Sequence, residues 1–268
     1  MKNSLLPQTA FLLLTILFCV ADFWGQRPFV TDNAEVTDKN KFHAEFGNQL
    51  NWLQHSAFPV KKQNGFDALA AYGVFKNAEV SFDAVILSLF NDRSKSPRVV
   101  SGFGDSTLGF KYNFHQESEN SRLPAMSASF IVQFPTGDAS RSLGSGVTDY
   151  ALNFVAQKTL SEKYTLRVNA GTIFAGNTLN GVLGFKARGV IFTGGSSLVR
   201  KINDKLQLGA EVSGAVPNNF QLNAGQFQFQ TGGNYRIRKK QTLDFGFIAG
   251  HFAASPRYSL QLGTSIDF

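Results

Sequence analysis

The chain has 268 residues, a net charge of +7, 27 Phe and 25 Gly, but only 2 Met, 2 Trp and 1 Cys. So much Phe and Gly fits many short strands and tight turns rather than a helix bundle. The single cysteine, Cys19, lies in the first twenty residues, which leaves the rest of the chain without disulfides, thiolate metal sites or a cysteine nucleophile.

The first element is a targeting segment. Lys2 precedes the apolar stretch PQTAFLLLTILFCVA, residues 7 to 21, too short and wrongly flanked for a spanning helix but right for a signal core. Cleavage is expected after Ala21 or Gln26, with Gln26 favoured, so 1–26 reads as a signal peptide. ILFC lacks the small residues that precede a lipidated cysteine. Residues 27–40, RPFVTDNAEVTDKN, form a polar lead-in, either a loose periplasmic tail or a plug folded into a lumen, the tail being the commoner arrangement.

From residue 41 to 268 apolar and polar residues alternate with period two. Phe42, Phe46, Leu50 and Trp52 share one parity, with His43, Glu45, Gln49 and Asn51 on the other. The same alternation marks 65–73 weakly, then 78–90, 105–114, 126–134, 149–157 and 164–174. It continues through 190–200, where Gly194 and Gly195 suggest a bulge, and through 206–216, 226–237, 243–250 and 258–268. That makes twelve predicted strands. The connections between them alternate long and short: 54–64 against 74–77, 91–104 against 115–123, 135–146 against 160–163, 175–189 against 202–205, with AASP (253–256) breaking the rule.

A sheet in hydrocarbon must close on itself, because no water is present to pair an open edge. Its outer face is apolar and its inner face polar. The expected fold is therefore all-β: a transmembrane antiparallel up-and-down β-barrel of about 12 strands. The competing architecture, a soluble sandwich or lipocalin-like barrel, turns the large residues inward. Scarce mid-strand Lys and Glu, and loops alternating long and short, weigh against it.

The last residues, RYSLQLGTSIDF, put Tyr258, Leu260, Leu262, Ile266 and Phe268 on one parity. This pattern resembles the C-terminal signal of bacterial outer-membrane barrels, which implies recognition by the barrel-assembly machinery. RPFVTDNAEVTDKNKFHAEFGNQ, GFGDSTLGFKYNF and FPTGDASRSLGSGVTDYALNFVAQKTL are similar to the meta-pathway phenol-degradation family of outer-membrane proteins. The likeness rests on Asp32 and Glu35, on Gly104-Asp105 and on Pro135 to Asp138. It implies an outer-membrane barrel that moves small, often aromatic, molecules.

Twelve strands lie between barrels filled by side chains and those with a wide channel. The inward charged candidates are Glu45, Asp67, Asp83, Asp105, Lys111, Asp149, Arg167, Glu211, Arg236 and Asp244. Of these, Asp83, Glu211, Arg167, Arg236, Glu45 and Lys111 are candidates for a lumen constriction; the plain alternative is ion pairing that props the barrel. The basic surplus reads as solubilising turn residues or as attraction for anionic lipid head groups. Expected partners are outer-membrane lipids, the assembly machinery and small solutes, with no nucleic acid.

No cofactor or metal is implied. GFGDSTLG lacks the Lys of a phosphate loop, and His43, His55, His115 and His251 show no ligand spacing. His251 with Ser255 and Ser259 is the one arrangement that suggests a lipid hydrolase, without the surrounding motif. The expectation is a non-enzyme: passage of small molecules first, a structural or adhesive barrel second, a lipid-modifying enzyme third.

Overall fold

The computed structural model describes residues 27–118, 122–175, 189–218 and 225–268, so the proposed signal peptide lies outside the described residues. The strands in the first half are β1 (Phe42–Trp52), β2 (Val60–Phe75), β3 (Ala78–Asn91), β4 (Val99–Phe103), β5 (Ser106–His115), β6 (Ala125–Phe134) and β7 (Asp149–Ser161). Those in the second half are β8 (Tyr164–Ala175), β9 (Gly189–Lys201), β10 (Leu206–Pro217), β11 (Gln226–Arg238), β12 (Gln241–His251) and β13 (Tyr258–Asp267). Every pairing between them is antiparallel, and β1 pairs with both β2 and β13, so the sheet closes.

Thirteen segments occupy twelve wall positions, because β4 and β5 both lie along β3. Phe103 opposes Ile86 and Thr107 opposes Asp83, so one extra residue sits at Gly104-Asp105, a β-bulge. The bulge switches the parity of the strand. Phe103 and Leu108 both face outward although one number is odd and the other even. The stretch 91–104 is thus not one long loop: Val99–Phe103 is strand, and the connection shrinks to 92–98. Likewise β2 begins at Val60, which shortens the expected 54–64 connection to 53–59.

The two faces settle which way the sheet is turned. Phe82, Phe154 and Phe229 are 49, 58 and 47% exposed, whereas Glu45, Glu211 and Gln230 are 3, 1 and 0% exposed. A water-soluble sheet would bury the first set. Here apolar rings face outward in every sector, as lipid requires, and polar side chains line the interior. Arginine in place of Phe154, near the middle of β7, is expected to cost about 2–4 kcal/mol; a denaturant titration of folding into lipid vesicles measures it, with Leu160→Arg on the same outer face near the strand end as the mild comparison.

Two-residue turns at 76–77, 162–163 and 239–240 share one end of the barrel with both chain ends of the wall, where Phe268 N–H donates to the Phe42 carbonyl at 2.9 Å. Most of the longer connections lie at the other end. Aromatic rings gather at strand ends, as with Phe42 against Tyr72 at 4.6 Å, the level where ring bodies meet lipid and their edges meet water.

Candidate functional site

Residues 27–40 lie inside the barrel. The segment's partners progress round the wall, with residues 32–35 shared between β5 and β7. Arg27 pairs with Glu45 of β1 at 3.1 Å and with Asp67 of β2. Its carbonyl accepts from Asn234 of β11 at 2.5 Å, and the Pro28 carbonyl accepts from Gln230 at 2.5 Å. The Val30 and Thr31 amides donate to Glu211 of β10 at 3.1 and 2.5 Å. Ala34 donates to Gln157 of β7 at 3.4 Å, and Glu35 accepts from the same side chain at 3.2 Å. Asp32 and Asn33 accept from Lys111 of β5 at 2.8 and 3.0 Å, and the Ala34 carbonyl accepts from Asn113 at 2.6 Å. Thr37 donates to Glu79 of β3 at 2.6 Å, and Asn40 donates to the Gly73 carbonyl of β2 at 2.8 Å.

The segment is therefore a hoop that makes one circuit of the lumen before entering β1. Its length fits. Twelve strands about 4.8 Å apart, tilted about 40°, give a wall radius of about 12 Å. A path about 5 Å inside that wall is about 44 Å long, and fourteen extended residues span about 46 Å. The hoop passes so near the wall that side chains at several inward glycines would meet it. A Cβ at Gly47 would collide with the Arg27 guanidinium, and one at Gly73 with the Thr37 and Asp38 carbonyls.

Below the hoop, a cavity of about 850 Å³ opens toward the short-turn end. Hoop residues 32, 33 and 35–38 bound it on one side, and Leu69, Ala71, Ser81, Asp83, Lys111 and Ile131 of the wall on the other; at its mouth Lys41, Lys201, Arg236, Lys239 and Lys240 stand together with Asp204 and Asp267. Its walls are thus mixed and its rim carries both signs, with Lys201 paired to Asp204 at 3.2 Å.

At the opposite end, two loops fold inward. The Asp105 carboxylate, at the bulge, accepts from the Gly137 and Ser145 amides at 3.0 and 2.6 Å and from Gln133 at 3.2 Å. The Thr136 hydroxyl donates to the Gly104 carbonyl at 2.9 Å. Gly-Asp and Pro-Thr-Gly-Asp, far apart in sequence, are two halves of one knot, which tucks Leu143 against Gly102. Within that loop the Ser140 hydroxyl, aided by the Arg141 and Ser140 amides, holds the Asp138 carboxyl below its usual range. Ala254, in the β12–β13 loop, packs on inward Ile191 and Ala215, beside Ile173.

The six constriction candidates separate into two groups. Glu45, Lys111 and Glu211 grip the hoop directly, and Arg167 supports it through Gln157, to which its Nε donates at 3.1 Å. Asp83 and Arg236 instead line the cavity. Gln157, Gln230, Asn234, Asn113 and Glu79 also hold the hoop; their inward parity was legible, but their partners were not. Of the other inward candidates, Asp244 accepts from Asn234 at 2.7 Å and Ser265 at 2.7 Å. Asp149 is buried at the start of β7. Tyr258, Leu260, Leu262 and Phe268 of the C-terminal set are exposed on the outer face, with Ile266 half-buried beside them. His251 points outward, while Ser255 bonds the Phe227 backbone at 2.9 Å and Ser259 bonds Asn51 at 2.5 Å, so neither serine is aligned with that histidine. Among the described residues no group of His, Cys, Asp and Glu is arranged to hold a metal ion.

The family described as "Putative MetA-pathway of phenol degradation" matches residues 25–268. The chain belongs to that family. Its barrel also superposes on the COG4313 outer membrane channel from Pseudomonas putida F1, with 14% identity and a TM-score of 0.64 over 90% of this chain and 99% of that one. The KdgM porin (6% identity, TM-score 0.56, 84% of this chain, 99% of that one) and the NanC porin (9%, 0.56, 84% and 98%) share the fold as well. No functionally curated protein matches the sequence. At these identities the likeness establishes the architecture, a barrel of the outer-membrane type, and leaves the hoop and the cavity to be read from this family member's own residues.

Proposed function

We propose that this family member is an outer-membrane passage protein for small molecules of low polarity, in which the N-terminal hoop sets the bore. The observation that carries the reading is the cavity of about 850 Å³ between the hoop and the β1–β6 wall. That volume is typical of sites for drug-sized molecules, and its Leu69, Ala71 and Ile131 surfaces offer apolar contact beside polar groups. The family's connection with phenol degradation and the channel and porin names of the solved relatives support the same reading. In this scheme the solute enters between the inward-folded loops, passes the hoop and leaves through the charged mouth at the short-turn end. The leader directs export, and the C-terminal strand is the segment that the assembly machinery reads.

The two tucked loops and the hoop also favour a second reading, a barrel that does not transport and acts through its surface loops. Planar-bilayer recordings of the refolded protein separate the two. Transport predicts small, steady conductance that phenolic solutes reduce more than aliphatic ones of equal size. A silent protein that also leaves vesicles impermeable to phenols would support the second reading and end the first.

A further inference from the structure

On the lipid-facing surface at the long-loop end, Phe229, Ala249 and Tyr258 oppose one another across β11, β12 and β13. Large, small, large is the shape of a short trough, which Phe247, the next outward residue of β12 and stacked on Tyr258 at 6.1 Å, narrows toward the membrane core. Two strand spacings, about 9.6 Å, separate the ringed walls, leaving a gap about one alkyl chain wide with Ala249 as its floor. Next toward the loop end, Phe227 opposes His251, and the groove, about 430 Å³ in volume, ends at His251 and Arg257.

The cationic end is built rather than incidental. The Arg257 guanidinium carbon lies 5.8 Å from the centre of the Tyr258 ring, a distance at which the ring face holds a cation. Its backbone is fixed on both sides: Arg257 N–H donates to the Trp52 carbonyl at 2.7 Å, and the Arg257 carbonyl accepts from Gly250 at 3.2 Å. Gln54 clamps the same corner by donating to the Gly250 carbonyl at 3.1 Å. Among the described residues no carboxylate forms an ion pair with Arg257. One strand further along, Lys62 lies over Trp52 at 5.4 Å, adding a second cation at the same height.

A trough fit for an acyl chain, ending in cations at the level where lipid head groups begin, describes one occupant. We propose that this groove is a specific site for a phosphorylated lipid of the leaflet facing the long loops, its phosphate held by Arg257 and His251 and one acyl chain lying over Ala249. Charge complementarity selects the anion, since an arginine fork binds phosphate better than any neutral head group. Exposure of the trough to hydrocarbon selects a lipid over a soluble ligand.

Native mass spectrometry of the detergent-purified protein tests this, with bisphosphorylated lipid A as probe and phosphatidylcholine and inorganic phosphate as comparisons. The expected result is one retained lipid A, with no retained phosphatidylcholine and no phosphate adduct. Arg257→Ala, which removes the cation, and Ala249→Phe, which fills the trough, should each weaken retention about tenfold, the equivalent of one charge-assisted contact. Arg200→Ala, which removes a cation lying over Tyr164 at 5.5 Å near the opposite end, should change nothing. Heat-modifiable gel migration reports that each variant is folded. Equal retention of phosphatidylcholine, wild-type binding by both groove variants, or phosphate binding as tightly as the lipid would each overturn the proposal.

Discussion

Removing residues 27–38 is expected to raise the single-channel conductance severalfold while leaving a folded barrel. The hoop occupies the ring of space about 5 Å inside a wall of about 12 Å radius, so only a few Å of radius remain at its centre. Deleting it returns that ring to water. The wall does not depend on the hoop for its own hydrogen bonds, because every neighbouring strand pair is joined by its own antiparallel ladder. The inward groups that the hoop satisfies, among them Glu45, Lys111, Asn113 and Glu211, would then face solvent rather than a dry interior. Their loss of partners therefore costs far less than it would in a closed core. Heat-modifiable migration should persist, and selectivity among phenolic and aliphatic solutes should fall as conductance rises. Unchanged conductance would move the restriction to the two loops folded over the other mouth. In that case Asp105→Ala, which removes the acceptor for the Gly137 and Ser145 amides, should be the variant that opens the pore.

The barrel was legible in the sequence because lipid imposes a periodic demand. Each strand must present Phe, Leu or Tyr outward at every second position, so the parity of Phe42, Phe46 and Leu50, or of Phe227 and Phe229, assigns each inward residue without reference to any partner. The misread stretches are those where that demand lapses. VKKQN at 60–64 reads as a polar loop because it reaches the head-group level, where Lys62 sits over Trp52. RVVSGFGD at 98–105 reads as a loop because its bulge reverses the alternation between Phe103 and Leu108. The hoop imposes no period at all. RPFVTDNAEV is held by about one contact per residue, to strands as far as 207 positions away. Inward charge could thus be predicted for Glu211, Glu45 and Lys111, whereas its purpose depends on which piece of chain comes to lie opposite.

Glu211 is where that dependence is sharpest, and Glu211→Leu is expected to undock the hoop from β10. Its carboxylate is 1% exposed and receives two backbone amides, from Val30 and Thr31. Leucine keeps much of the volume but accepts nothing, leaving two donors unpaired at about 1–3 kcal/mol each. That loss, about 2–6 kcal/mol, is large for a short segment held by individual hydrogen bonds and ion pairs. The donors regain partners only by leaving the wall for water. Glu211→Gln should be intermediate, since its amide oxygen still accepts one of the two N–H groups while its NH2 faces the other. A thiol probe reads the difference directly, because the one cysteine of the sequence, Cys19, lies in the proposed leader. Thr31→Cys places a thiol at a position that is fully buried, so a water-soluble methanethiosulfonate should modify it slowly in the parent protein, faster with Glu211→Gln, and fastest by a wide margin with Glu211→Leu. Recordings from the leucine variant should show brief excursions toward the conductance of the 27–38 deletion, as the loosened arc swings between wall and lumen. A thiol equally protected in all three backgrounds would mean that the hoop is held by its remaining anchors, chiefly Arg27 at Glu45 and Asp67, and that the Glu211 carboxylate is not what fixes it to the wall.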